Sequence, residues 1–279
     1  KKKIEIFCTV GPKSSNRRFL NFVDKKASLV RLNMSHVHIK NLEKSIKLIR
    51  KYCSVPICID TEGSQIRTKI KINKEYKKGE IGFIYKKTGK FNLYPETIFE
   101  KLKKKDILHV GFDNLKIRII KIFTNKIKFK TIQYGSLQNN KGVHLSNRKV
   151  KLNFLTKKDY KAIKIAKKLK VKNFALSFTN NHHEIKKFNT LLPEQKKIFK
   201  IETKNAIKNL NKIFQYGKYF LIDRGDLSKE ISIQKIPFYQ RYIFKFAKKH
   251  KKVKIYVATN YLESMIDKPY PTASEMNDI

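Results

Sequence analysis

Lys200 and Glu202 stand two residues apart at the end of a short apolar run that begins Ile198-Phe199. Asp226 follows a second run, Tyr219-Phe220-Leu221-Ile222, by way of Asp223-Arg224-Gly225. In a strand, side chains at i and i+2 share a face, so Lys200 and Glu202 point the same way. A lysine and two carboxylates then sit at the carboxyl ends of two neighbouring candidate strands. In α/β barrels this is the end that carries the chemistry. Two carboxylates and one cation in a common pocket suit a divalent metal together with an anionic substrate. A lone Lys-x-Glu on a strand is more often a surface ion pair worth ~0–1 kcal/mol. The pocket reading therefore depends on the elements that place these side chains.

Those elements alternate. Ile4 to Val10 is apolar and β-branched and is stopped by Gly11-Pro12. A helical stretch over 16–26 leads to the strand Leu29-Val30-Arg31-Leu32-Asn33. Residues 38–52 carry Ile39, Leu42, Ile46 and Ile49 at helical spacing, and Val55-Pro56-Ile57-Cys58-Ile59 runs into Asp60-Thr61. Strands joined by helices imply a parallel sheet or barrel. From Thr68 to Val150 the texture changes to short alternating strands and turn residues, with a hairpin predicted around Thr124-Asn125. From Thr156 the rhythm returns. Helices are expected over 156–169, 182–190, 204–214 and 236–250, and strands over 173–178, 198–202, 219–223 and 253–259. The expected fold is an α/β chain, a (β/α)8-type TIM barrel incomplete at the C-terminus, with an inserted small all-β lid domain. Residues 1–68 and 151–279 form the two parts of the barrel, and 69–150 form the insert. Seven barrel strands are visible, and an open seven-strand barrel leaves edges that something must cover.

Sixty-five lysines and arginines against 22 acidic residues give a net charge of +43. The basic residues are spread along the chain, are mostly lysine, and accompany heavy use of Ile, Asn, Phe and Tyr. We read this as a coding bias that fills neutral surface positions with lysine. A field of this sign still draws anionic metabolites, and RNA at low salt. No segment has the apolar length of a membrane span, and the start lacks the apolar core of a secretory signal. Cys8, Cys53 and Cys58 have no metal-ligand spacing, and a reducing, cytoplasmic compartment is expected.

The motifs, taken in order, resemble the pyruvate kinase family over almost the whole chain. Ile6-Phe7-Cys8-Thr9-Val10-Gly11-Pro12 looks like its opening strand, followed by Arg31-Leu32-Asn33-Met34-Ser35-His36 and Asp60-Thr61-Glu62-Gly63-Ser64-Gln65-Ile66-Arg67-Thr68. Asn140-Lys141-Gly142-Val143-His144-Leu145, Thr156-Lys157-Lys158-Asp159, Lys200-Ile201-Glu202, Arg224-Gly225-Asp226-Leu227 and the segment from Ala258 to Ile266 complete the set. The resemblance implies phosphoryl transfer from phosphoenolpyruvate to ADP, giving pyruvate and ATP. It implies Mg²⁺ or Mn²⁺ on Glu202 and Asp226, and Lys200 at the transferring phosphoryl group and the enolate. Arg31 would contact phosphate, Thr259 would contact substrate and help deliver the proton, and the N–H groups of Gly225 and Asp226 would take the substrate carboxylate. It implies K⁺ on Asn33, Ser35, Asp60 and Thr61, with Ser177 behind them, and nucleotide contacts from Arg67, His36 and Lys158. Homo-oligomers are expected if the chain continues beyond residue 279; no membrane and no specific nucleic-acid partner is expected.

Several residues depart from the family pattern. Gln65 replaces a glutamate or lysine and leaves K⁺ dependence open. Ser64 replaces a proline, Thr203 and Ala206 replace an asparagine and a glycine, and Asn180 replaces an arginine. Asp223 replaces an alanine, where it could bind Arg224 or disturb the metal site. Phe112-Asp113-Asn114 keeps part of an acidic lid motif. His109 and His144 are expected to face solvent, and His182-His183 to be structural. Two other readings stand beside the enzyme: a catalytically impaired binding protein or subunit, and a basic nucleic-acid-binding protein.

Overall fold

β1 (Phe7–Thr9) leaves through Gly11-Pro12 to α1 (Arg17–Lys26), whose first turn is closed by Asn16 accepting the Phe19 N–H at 3.0 Å. The computed structural model describes residues 4–111, 115–148, 150–259 and 261–276. The expectations placed on 112–114 and on Asn260 lie outside the described residues. β2 (Leu29–Asn33), α2 (Leu42–Tyr52) and β3 (Ile57–Asp60) follow. α2 buries Leu42, Ile46 and Ile49, one stripe at spacings of four and three, each worth about 1.5–3 kcal/mol of apolar burial.

The chain divides into two compact units, Lys1–Gly63 with Phe154–Ile279, and Ser64–Asn153. The second unit is all β. Its strands are β4 (Ile66–Ile70), β5 (Lys74–Tyr76), β6 (Ile81–Tyr85), β7 (Phe91–Tyr94), β8 (Ile107–Val110), β9 (Leu115–Ile122), β10 (Lys126–Gln133), β11 (Gly135–Leu137) and β12 (Gly142–Leu145). Seven close into a barrel ordered β10-β6-β7-β4-β12-β8-β9, while β5 and β11 pair separately. The β9–β10 hairpin turns over Thr124-Asn125 and carries a register shift between Lys128 and Phe129. Phe129 fills the centre of this barrel against Phe91 and Tyr76; a Cβ on Gly82 would meet its ring at 2.2 Å. His109 and His144, expected to face solvent, are register partners on β8 and β12; they alternate with buried Leu108, Val110 and Val143, which puts them on the outer face of the barrel, where they are half-buried.

The first unit resumes with α3 (Lys157–Lys168), β13 (Asn173–Leu176), α4 (His182–Leu191) and β14 (Lys196–Ile201). α5 (Lys204–Lys208), α6 (Leu210–Tyr216), β15 (Tyr219–Asp223), α7 (Arg224–Ser228), α8 (Ile236–Ala247), β16 (Lys254–Ala258) and the short α9 (Ala273–Met276) follow. The single helix expected over 204–214 is two, parted at Asn209, whose backbone sits at φ −103° and ψ 11° and whose side-chain amide donates to the Asn180 and Asn205 carbonyls, both at 3.0 Å.

The parallel sheet runs β1-β2-β3-β13-β14-β15-β16. It curls until its two edges approach. The rings of Phe7 and Tyr256 are 4.3 Å apart, and the Tyr256 hydroxyl donates to the Glu5 carboxylate. Inside the curl lie Leu29, Cys58, Ala175, Ile198 and Leu221; outside, the larger core joins the sheet to its helices through Phe174, Phe188, Phe199, Phe220 and the α2 stripe. This is the α/β architecture expected: a (β/α)8-type barrel with seven strands present and an inserted all-β unit. Among the described residues, β1 and β16 each have one strand neighbour. No helix among the described residues is long and apolar enough to cross a membrane.

Candidate active site

Asp60 ends β3 as the parallel register partner of Asn33 on β2, and is fully buried. A carboxylate so placed must be paired. Its Oδ2 accepts the Arg31 Nε–H at 2.8 Å and lies 3.4 Å from the Lys200 ammonium, while Oδ1 accepts the Ser177 hydroxyl at 3.0 Å. Thr61 Oγ1 accepts the Ser177 N–H at 3.0 Å. The carboxyl ends of β2, β3 and β13 are thus tied by side chains where the strand ladder stops.

Lys200 lies near the end of β14 and is 3% exposed. Its ammonium is 2.7 Å from Glu202 Oε1, 3.3 Å from Asp223 Oδ2 and 3.4 Å from Ser177 Oγ. Burial alone would lower the Lys200 ammonium, but Asp60, Glu202 and Asp223 outweigh it and hold the charge above the ordinary lysine range. The same balance keeps Arg31 charged: burial opposes it, and Asp60 leads the carboxylates that favour it.

Glu202 follows the strand directly and is 1% exposed. Its Oε2 accepts the Phe178 N–H at 2.6 Å, with Phe178 held at a left-handed φ of +52°. Its Oε1 accepts no aligned hydrogen bond among the described residues; its partner is the Lys200 ammonium. Burial, opposed by Lys200 and reinforced by Asp223, Asp226 and Asp60, pushes the Glu202 carboxyl up to about 8. One oxygen each from Glu202, Asp223 and Asp226 lies within 4.8 Å of the others. Three hard oxygen donors this close together, with more negative charge than the one Lys200 ammonium offsets, are the setting a divalent cation fits.

Asp223 closes β15 and caps α7, accepting the Asp226 N–H at 3.4 Å. Its Oδ1 also accepts the Thr259 hydroxyl at 2.8 Å. Burial would raise this carboxyl, yet Lys200, the Thr259 bond and Arg31 hold it below the usual carboxylate range. The Asp226 carboxylate is half-buried and takes the Lys229 ammonium.

Arg31, Asp60, Lys200, Glu202, Asp226 and Thr259 therefore meet in one connected cluster. Gly225 stands on α7 beside Thr259, where a Cβ would meet the threonine methyl at 2.8 Å. Asn33 turns its Oδ1 to the Ser35 N–H at 2.9 Å. Lys158 donates to the Met34 carbonyl and lies 3.0 Å from Glu62 Oε2, and His36 is exposed just after β2. Arg67 belongs to the second unit, where it donates to the Asn140 carbonyl at 3.1 Å. One member escaped sequence reasoning: the Phe178 N–H left no signal, being backbone. Asp223 stands out in the sequence as a carboxylate that could bind Arg224 or disturb the metal site; it pairs instead with Lys200 and Thr259, while the Arg224 Nε–H donates to the Thr259 carbonyl.

The family model described as "Pyruvate kinase, barrel domain" matches residues 1–279. A pyruvate kinase of Thermotoga maritima is 30% identical over 293 aligned positions, covering 99% of this chain and 62% of that protein. One of Methanocaldococcus jannaschii is 32% identical over 286 positions, covering 100% of this chain and 61% of that protein. Plastidial pyruvate kinase 3 of Arabidopsis thaliana is 29% identical, covering 100% of this chain and 52% of that protein. The chain thus spans between half and two thirds of the length of these relatives. With its parallel curled sheet, its inserted β unit and the family match along its whole length, the chain belongs to the pyruvate kinase family and represents the barrel domain.

Proposed function

We propose that this chain carries the catalytic barrel of a pyruvate kinase, moving the phosphoryl group of phosphoenolpyruvate to ADP to give ATP and pyruvate. The observation that carries this reading is the convergence of Lys200 with Glu202, Asp223 and Asp226 at the ends of β14 and β15. Phosphoryl transfer asks for charge neutralisation and in-line placement more than covalent help. The bond between phosphorus and the enol oxygen breaks, and a new one forms to a terminal oxygen of ADP. Lys200 sits against the phosphoryl group and then the enolate oxygen, and Arg31 steadies the phosphate. Glu202 and Asp226 hold Mg²⁺ or Mn²⁺, which when bound neutralises substrate oxygens. Thr259, at the exposed rim, helps deliver the proton that converts the enolate to pyruvate.

Asn33, Ser35, Asp60 and Thr61 offer only oxygen donors, as a hard monovalent cation requires, and we assign K⁺ to them. His36 and Lys158 supply cations to the nucleotide. The Gly225 and Asp226 N–H groups take the substrate carboxylate, the latter by exchanging its long bond to Asp223.

One contact favours a second reading, binding without turnover: the Lys229 ammonium already occupies the Asp226 carboxylate. The test is direct. Full-length protein given phosphoenolpyruvate, ADP and Mg²⁺ yields pyruvate, and Lys200→Met loses most of that turnover. Mg²⁺-dependent phosphoenolpyruvate binding with no pyruvate formed would select the second reading instead.

A further inference from the structure

Thr259 has a backbone φ of +77°. A β-branched residue in that region is a conformational outlier, and such strain persists only where surrounding contacts hold it. Three consecutive residues of the β15–α7 turn supply those contacts. Asp223 Oδ1 accepts the Thr259 hydroxyl at 2.8 Å. The Arg224 Nε–H donates to the Thr259 carbonyl at 2.9 Å. Gly225 leaves the space for the threonine methyl, which any Cβ there would meet at 2.8 Å. The register explains the meeting: Asp223 pairs in parallel with Ala258, so the residue after Ala258 must turn across the residues after Asp223. The other oxygen of Asp223 lies 3.3 Å from the Lys200 ammonium, so one carboxylate spans the cation and the hydroxyl.

We propose that Asp223, Arg224 and Gly225 form a clamp that holds Thr259 in its left-handed backbone conformation, and that Asp223 is the positioning residue aiming the Thr259 hydroxyl and the Lys200 ammonium at the same enolate. The inference rests on the phosphoryl-transfer reading above. It gives the buried carboxylate at position 223 a task in the proton step, distinct from the capping of α7. A hydroxyl that must meet a carbon in line tolerates little displacement, and a shift of about 1 Å costs on the order of 100-fold.

The test follows the methyl protons of pyruvate by NMR in D₂O, with full-length protein, ATP and Mg²⁺. Exchange breaks a methyl C–H bond to give the enolate and returns a deuteron from solvent to the same carbon. Asp223→Ala should slow exchange about 10- to 100-fold while the KM for phosphoenolpyruvate moves by less than about threefold. Asp223→Asn, which keeps an acceptor oxygen for Thr259, should recover a large part of the loss, separating aim from general destabilisation. The Asp223→Ala and Thr259→Ala losses should not multiply in the double variant, since both remove one interaction. Exchange in Asp223→Ala at the wild-type rate, or fully multiplicative losses, would overturn the clamp. Lys200→Met keeps the two inferences apart. A wild-type protein with no exchange sinks the phosphoryl-transfer reading and the clamp together. A wild type that exchanges, a slow Lys200→Met and an unaffected Asp223→Ala sink the clamp alone.

Discussion

The Lys200 ammonium lies 2.7 Å from Glu202 Oε1, with both side chains almost completely buried. The pair shares one strand end, two residues apart, and Asp60 and Asp223 add their carboxylates at 3.4 and 3.3 Å. Lys200 is therefore a counter-ion for three acidic groups as well as a candidate catalytic cation. Lys200→Met leaves those groups facing one another with Arg31 as their remaining neighbour cation. Breaking a buried pair from one side typically costs about 3–5 kcal/mol. The variant should unfold at lower urea concentration than wild type, and Mg²⁺ should restore part of the difference. Stability equal to wild type without Mg²⁺ would mean that the carboxylates are not ionised together.

Glu202 gives a pH dependence with a definite sign. Its carboxyl is pushed up to about 8 from an ordinary 4.5, so between those values the folded protein holds a proton that the unfolded chain has released. Stability then falls as pH rises through the window, since the unfolded state binds fewer protons. Asp223 acts in the opposite sense, its carboxyl being held below 3.8, so its contribution is lost only at more acid pH. Urea unfolding in EDTA should show stability declining from pH 5 toward pH 8. Excess Mg²⁺ should flatten that decline, because a bound cation favours the ionised carboxylate. An identical slope with and without Mg²⁺ would remove Glu202 from the metal site.

Asp159 is a structural hub whose loss should be felt at a distance. It is fully buried, caps α3 through the Thr156 N–H at 2.9 Å, and accepts the Glu62 and Gly63 N–H groups at 2.7 and 3.1 Å. Asp159→Ala orphans two buried donors in the turn after β3 and removes the capping box. Each unsatisfied buried donor costs about 1–3 kcal/mol. The expected loss is about 2–5 kcal/mol in denaturant unfolding. Asp159→Asn, which keeps one acceptor, should lose less.

What could be read in the sequence was local. The strands at Leu29–Asn33 and Tyr219–Asp223 coincide with runs of apolar and β-branched residues, and α4 begins where Asn181 offers a cap. Lys200 and Glu202 share a face because strand geometry requires it. What could not be read was register across the sheet. Thr259 reaches Asp223, 36 residues earlier, only because β15 and β16 align Asp223 with Ala258. Phe178 reaches Glu202 only through a left-handed backbone that no side-chain pattern announces. The split at Asn209 falls within an otherwise acceptable helical spacing, where the Asn209 amide ties the turn to the Asn180 carbonyl 29 residues earlier.

Gly63 ties the turn after β3 to the cluster. Its φ is +69°, and an added Cβ would lie 2.9 Å from the Ser177 Cβ and 3.0 Å from the Ser177 carbonyl oxygen and the Phe178 ring. Gly63→Ala therefore meets both a backbone penalty and a steric one. The left-handed conformation costs an alanine about 1–2 kcal/mol, and overpacking typically adds about 1–3 kcal/mol. The displaced residues are the ones that hold the site: the Ser177 hydroxyl donates to Asp60 and the Phe178 N–H donates to Glu202. A shift at Phe178 frees Glu202 Oε2 and disorders a proposed metal ligand, so Mn²⁺ affinity measured by electron paramagnetic resonance should fall along with the unfolding midpoint. A lowered midpoint with unchanged Mn²⁺ affinity would confine Gly63 to the fold and detach the Phe178 backbone from the metal site.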